Sequence, residues 1–187
     1  MHTGVIELFL DSHAEAAVRD LWATLSRLLG TPRLDAYGMR PHVTVLAGSQ
    51  LHTYTLRPLL SAIAATTAPF EISFATAATF LARDGIVFLA PTPTLALLQI
   101  QQTLYQAVVA TGMSVGSHYA PETWIPHCTL AVGLTDAQAA RAIAICREYV
   151  VAIYGRIVAL GAVDIRPEQP YERYVLSLCG GAGPSSP

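Results

Sequence analysis

Pro126-His127-Cys128-Thr129-Leu130-Ala131-Val132-Gly133 repeats, almost place for place, a stretch that occurs earlier in the chain as Pro41-His42-Val43-Thr44-Val45-Leu46-Ala47-Gly48. Proline, histidine, threonine and glycine hold the same positions in both octapeptides, and the other positions are small or apolar. Each copy reads as a buried strand. Side chains alternate along a strand, so His42 and Thr44 share one face while Val43 and Val45 share the other. His127 and Thr129 stand in the same way against Cys128 and Leu130. A single His-x-Thr on an apolar strand is weak evidence, because a core histidine bonded to a backbone carbonyl explains it. Two copies 85 positions apart, each led by proline, point to paired chemistry.

Reading outward, the elements around the two copies also repeat. Gly4 to Leu10 is an apolar run with Glu7 inside it, a first strand. Ser12-His13-Ala14-Glu15 is a capping-box pattern that opens a helix ending at Gly30-Thr31-Pro32. A loop through Tyr37, Gly38 and Arg40 enters the first motif strand, His42 to Ala47. A helix over about Leu56 to Thr66 and a strand-rich segment from Phe70 to Phe80 follow, then a turn at Arg83-Asp84-Gly85. The series restarts with a strand from Ile86 to Ala90. Thr92-Pro93 reads as a cap followed by proline at the first helical position, and Leu97, Ile100, Leu104 and Val108 form one face of that helix. A loop from Gly112 to Pro126 enters the second motif. Thr135-Asp136-Ala137-Gln138 caps a helix to about Val151, and Gly155 to Ile165 and Tyr171 to Leu178 read as strands. The offset of 85 also lays Phe70–Phe80 onto Gly155–Ile165. The expected fold is therefore α+β: two pseudo-symmetric lobes, each an antiparallel-type sheet flanked by two helices, with the site in the cleft between them. One domain over 1–179 is expected, built from repeats at about 4–84 and 85–179, with 180–187 as a disordered tail.

Composition narrows the function. With 52% hydrophobic and 13% charged residues the chain folds around a core. The longest stretch free of charge, Gly85 to Pro121, is broken by prolines, glycines and glutamines, so no spanning helix and no membrane partner is expected. The start of the chain lacks a basic signal region, and the three cysteines, Cys128, Cys146 and Cys179, form no spacing motif. Free thiols and a cytoplasmic location are the expectation. A formal net charge of −2 gives no field for extended nucleic acid. A small cyclic nucleotide or a short RNA end suits it better, bound by a monomer. All eleven basic residues are arginine, which base composition of the source genome explains as readily as phosphate binding.

Two imidazoles and two hydroxyls related by a pseudo-two-fold axis suit in-line displacement at phosphorus. One histidine takes a proton from the attacking water, and the other gives one to the leaving alkoxide. The threonine hydroxyls donate to the non-bridging oxygens. A metal site is the competing use of paired histidines, but it needs a third ligand. Neither octapeptide holds Asp or Glu, and Cys128 points away from His127, so no metal and no cofactor is expected. Tyr119 and Trp124, entering the second motif, are candidates to stack a base, with packing at the lobe junction as the alternative for Trp124. Tyr37 and Arg40 are their counterparts at the first motif. Arg83 and Arg173 are phosphate candidates whose default is a solvated surface arginine. His2, His13 and His52 read as surface residues, and His118 is the one remaining histidine close enough in sequence to His127 to keep in view.

The doubled pattern, His42-Val43-Thr44-Val45 and His127-Cys128-Thr129-Leu130, resembles the signature of the two-histidine phosphoesterases. The flanks resemble the 2′-5′ RNA ligase branch of that superfamily: Ile6-Glu7-Leu8-Phe9-Leu10-Asp11, Leu21-Trp22, and the run from Trp124 to Ala131. The resemblance extends from Val5 to about Leu178. It implies a metal-independent enzyme that opens 2′,3′-cyclic phosphates of nucleotides or RNA ends to 2′-phosphates, with His42, Thr44, His127 and Thr129 as the catalytic set. Two alternatives stand beside it. One is a 2′-5′ phosphodiesterase or ligase acting on 2′-5′ linked RNA. The other is a module of the same fold that binds nucleotides or RNA ends without turnover.

Overall fold

The structure, a computed structural model, describes residues 3–81, 85–165 and 172–179. The turn expected at Arg83-Asp84, Arg83 as a phosphate partner, Tyr171 and the tail expected at 180–187 lie outside the described residues. The order is β1 (Thr3–Leu10), α1 (Ser12–Leu29), a 3-10 turn (Leu34–Tyr37), β2 (His42–Gly48), α2 (Arg57–Thr66) and β3 (Phe70–Thr79). Then come β4 (Val87–Pro91), α3 (Leu95–Val109), a 3-10 turn (Ser117–Tyr119), β5 (Cys128–Ala131), α4 (Asp136–Tyr149), β6 (Ile153–Ile165) and β7 (Glu172–Ser177). The α+β class and the repeated element order agree with expectation.

The strand pairing crosses between the halves of the chain. All pairs are antiparallel, in the order β2-β1-β6-β3-β4-β5, with β7 also on β6. β3, from the first half, pairs with β4 of the second; β6, from the second half, pairs with β1 of the first. The 13-residue β6 carries both lobes. Its Ile153–Ile157 segment faces β3 and its Ala159–Asp164 segment faces β7, while β1 runs along its other edge. The helices follow the same exchange. α1 packs against α4 over β3, β4 and β5, and α2 packs beside α3 near β7 and β2. Each lobe is thus an antiparallel sheet with one helix from each half of the chain.

Burial explains the elements locally. Along α1, Ala14, Val18, Leu21, Trp22 and Leu25 form one buried stripe, and the helix ends where Gly30 takes φ 68°. β1 is buried on both faces: Ile6, Leu8 and Leu10 enter the core, and Glu7 and Phe9 enter the other side. Two caps differ from expectation. Asp11, not Ser12, caps α1 by accepting from the Ala14 N–H at 2.9 Å, and its second oxygen accepts from the Arg156 N–H of β6 at 2.7 Å. Thr94, not Thr92, caps α3, because Thr92 is held to β3 by its N–H and hydroxyl against Ser73. The capping box of Thr135 and Gln138 forms as expected. All three cysteines are free thiols, with Cys128 and Cys146 buried. No helix among the described residues is long and apolar enough to cross a membrane.

One detail of register bears directly on the motifs. Glu7 pairs with Thr44 but Ile6 pairs with Leu46, so Val45 is an extra residue in β2. Phe88 pairs with Thr129 but Val87 pairs with Ala131, so Leu130 is an extra residue in β5. The two bulges occupy equivalent places, one residue beyond each motif threonine. A bulge twists and bends its strand and re-aims the side chains beside it. Although β2 and β5 end the strand path, they come into contact with each other, which brings the two motifs together.

Candidate active site

Both motifs present their chemistry on the face predicted from alternation. His42, Thr44, His127 and Thr129 are half-buried, while Val43, Val45, Cys128 and Leu130 are at most 2% exposed. Burial pushes the Cys128 thiol up to about 12, with the His42 backbone beside it, so the thiol is inert and the two motif strands touch through it.

The two rings are held by the same device. His42 Nδ1 donates to the Arg40 carbonyl at 2.6 Å, and His127 Nδ1 donates to the Ile125 carbonyl at 2.7 Å. A carbonyl only accepts, so Nδ1 carries a proton in each ring and Nε2 is the nitrogen turned to the site. The main chain behind each threonine is held by an indole. Trp124 Nε1 donates to the Thr44 carbonyl at 3.0 Å, and Trp22 Nε1 donates to the Thr129 carbonyl, also at 3.0 Å. Each tryptophan comes from the half of the chain opposite to the motif it holds. Among the described residues neither threonine hydroxyl has a hydrogen-bond partner, which leaves both available as donors.

The surroundings of the two rings differ. His42 Nε2 lies 3.5 Å from Oε1 of Glu7, a carboxylate whose side chain is 4% exposed. His127 packs against a pair of touching phenyl rings, Phe80 and Phe88, with ring centroids 5.1 and 5.2 Å away. Burial lowers the pKa of His127 most, the bond to Ile125 opposes this, and the charge of His42 lowers it further. That last effect places the two imidazoles within electrostatic reach of each other.

The weaker candidates divide. Arg40 stands at the site: its carbonyl holds His42, its guanidinium lies 4.7 Å from the Phe9 ring centroid, and its Nε meets Glu15 at 2.6 Å. Trp124 is 8% exposed and its N–H is taken by Thr44, so its surroundings are those of a junction residue. Tyr119 packs half-buried against the core, and burial raises its hydroxyl pKa. Tyr37 is 51% exposed on the 3-10 turn before Arg40. His118 is exposed on the 3-10 turn Ser117–Tyr119. Arg173 is not the solvated surface arginine expected. β7 pairs Arg173 with Val163, its side chain is 19% exposed, and its Nε lies 3.2 Å from Glu7 Oε2. Glu7, Phe80, Phe88 and Trp22 were not among the predicted site residues. Only Glu7 carried a sequence signal, as the single charge in an apolar strand. Among the described residues no three His, Cys, Asp or Glu side chains gather as a metal-binding group.

Phenylalanine at either tryptophan keeps the bulk of the ring but leaves a buried carbonyl without its donor. Trp22→Phe and Trp124→Phe are each expected to lower the unfolding free energy by about 1–3 kcal/mol in urea titration. Wild-type midpoints would mean that the indole bonds hold nothing.

Comparison with known proteins bears on the family and the fold. The family model described as the 2′-5′ RNA ligase superfamily matches residues 8–161. Among solved structures the chain is similar to TT0787 of Thermus thermophilus, at 18% identity and a TM-score of 0.62, covering 97% of this chain and 100% of that one. It is also similar to a structure described as a phosphoesterase, at 18% identity and a TM-score of 0.56, covering 94% and 98%. E. coli LigT complexed with NADP+ matches at 16% identity and a TM-score of 0.55, again covering 94% and 98%, and LigT is also solved with 3′-AMP and with ATP. At these identities the likeness is one of fold. No curated protein matches the chain in sequence.

Proposed function

Since the chain belongs to the 2′-5′ RNA ligase superfamily, we propose that it is a metal-independent phosphodiesterase that opens 2′,3′-cyclic phosphates of nucleotides or RNA ends to 2′-phosphates. The observation that carries the reading is the matched pair of rings, each fixed by Nδ1 to a carbonyl two residues earlier, in two different electrostatic settings. Binding alone needs no such pair of oriented titrating groups. The nucleotides bound by LigT support a small nucleotide as partner.

The settings support one division of roles. His42 has its Nδ1 on the Arg40 carbonyl and its Nε2 3.5 Å from the Glu7 carboxylate, so a negative charge stands beside the nitrogen that would give up a proton. His127 has its pKa lowered by burial against two phenyl rings, which favours the neutral ring with a free lone pair on Nε2. His127 is then the base that takes a proton from the attacking water. His42 is the acid that protonates O3′ as the P–O3′ bond breaks. The product is a 2′-phosphate with a free 3′-hydroxyl, and proton exchange with solvent restores both rings. Thr44 and Thr129 donate to the non-bridging oxygens as charge builds on them.

Purified protein incubated with chelator is expected to convert 2′,3′-cyclic mononucleotides to 2′-phosphates, read by phosphorus NMR. A 3′-phosphate product, or activity abolished by the chelator, overturns the mechanism. If cyclic phosphates remain intact while 2′-5′ linked oligonucleotides are cleaved, the same site serves the alternative substrate.

A further inference from the structure

The molecule contains its own control for one residue. Glu7 stands opposite Thr44 in the β1–β2 pairing, just beyond the bulge, and Phe88 stands opposite Thr129 at the equivalent place in the β4–β5 pairing. A phenyl ring therefore fits this position of the fold, yet the His42 side holds a carboxylate that is 3% exposed. Burying a carboxylate and an arginine costs several kcal/mol before their attraction returns any of it, and apolar replacements of such pairs are often neutral or stabilising. Stability alone gives no reason for Glu7.

Its contacts give one. Oε1 lies 3.5 Å from His42 Nε2, and Oε2 lies 3.2 Å from Arg173 Nε. The second contact has the distance of an ion pair without the alignment of a hydrogen bond, for Glu7 Oε2 and Arg173 Nε are both buried with no hydrogen-bond partner among the described residues. Arg173 is anchored instead by its other nitrogen, which donates to the Gly38 carbonyl at 3.3 Å, and by the Phe9 ring 5.8 Å away. Room for that ring comes from Gly161, across from Glu7 on β6, where a Cβ would stand 2.3 Å from Phe9. The arginine thus meets Oε2 and leaves Oε1 facing His42. The other ionisable groups near His42 are Arg40, closed on Glu15 of α1 at 2.6 Å, and His127 across the site. β6 places the uncharged Gly161 beside Glu7.

We propose that Glu7, held by Arg173, is a positioning residue whose carboxylate, placed beside His42 Nε2 without a hydrogen bond to it, biases that ring toward the acid role, so that two motifs alike in sequence are committed to opposite halves of one proton transfer. This rests on the phosphodiesterase reading for its catalytic meaning, but its physical content is tested without substrate. Histidine ring resonances of the free protein are followed by 15N NMR across pH. In the wild type, His127 is expected to take up its second ring proton only below the ordinary imidazole range. Glu7→Gln, which keeps size and removes charge, is expected to shift the His42 titration to lower pH. Arg173→Met is expected to shift it to higher pH, with His127 nearly unmoved in both. In kinetics with a cyclic nucleotide, Glu7→Gln then costs about tenfold in kcat/KM on the alkaline side and little on the acid side. A His42 titration unchanged in either folded variant overturns the proposal. If Glu7→Gln does not fold, Arg173→Met decides. NMR shifts as expected with no turnover of any phosphodiester would keep the positioning role and sink the phosphodiesterase reading instead.

Discussion

Alanine at His42 or at His127 is expected to lower kcat/KM on a 2′,3′-cyclic nucleotide by about 10²- to 10⁴-fold, the range for removing a positioned general acid or base. Both losses should be of this order, because water attack and alkoxide departure each need a proton moved at the same phosphorus. The two variants should not be alike in their pH dependence. His127→Ala removes the base, so the residual rate loses the rise on the acid side of the profile. That rise is expected below the ordinary imidazole range in the wild type, since burial against Phe80 and Phe88 holds the pKa of His127 down. His42→Ala removes the acid, so its residual rate loses the fall on the alkaline side. Stopped assays across pH, with circular dichroism to confirm the fold, check both. A variant with wild-type rate removes its histidine from the mechanism, and exchanged limbs reverse the assignment of acid and base.

What could be read from the amino-acid sequence tracks how local each cause is. The motif strands were legible because a period of two is imposed within each strand, and the burial of Val43, Val45, Cys128 and Leu130 follows from it. The helix faces were legible for the same reason, as Leu97, Ile100, Leu104 and Val108 show. Caps were less so. Asp11 and Thr94 displaced the expected Ser12 and Thr92 because partners on β6 and β3, distant in sequence or supplied by the sheet, decided which side chain was free to cap. The exchange of β3 and β6 between halves is a property of pairing and leaves no trace in either octapeptide. The paired bulges left a faint one: Val45-Leu46 and Leu130-Ala131 put two buried residues in succession where strict alternation would put one. The site shows the same gradient. His42, Thr44, His127 and Thr129 were found by repetition. Trp22 and Trp124 do equivalent work from positions the repeat does not relate, since the 85-residue offset carries Met39, not Trp22, onto Trp124. Glu7 was visible as a charge, but its meaning needed the register that sets it against Thr44 and sets Phe88 against Thr129.

Valine at Thr44 or Thr129 is expected to lower kcat by about 10²- to 10³-fold, the cost of losing one fixed donor to an oxyanion. Valine has the shape of threonine and favours strands, so the bulged pairing and the indole bonds to the two carbonyls should survive, leaving the hydroxyl as the difference. The two hydroxyls bond to no described residue, so each is free to rotate toward a phosphate oxygen without first breaking another bond. Donors aimed at charge that grows in the transition state act on kcat more than on KM. Thr44→Ser and Thr129→Ser should therefore keep most of the rate, because the donor is restored. The double valine variant should lose more than either single one, with its loss confined to kcat if both oxygens are stabilised as charge builds. Loss of binding with kcat intact would instead make the threonines ground-state phosphate ligands, and the two histidines would then carry the rate acceleration alone.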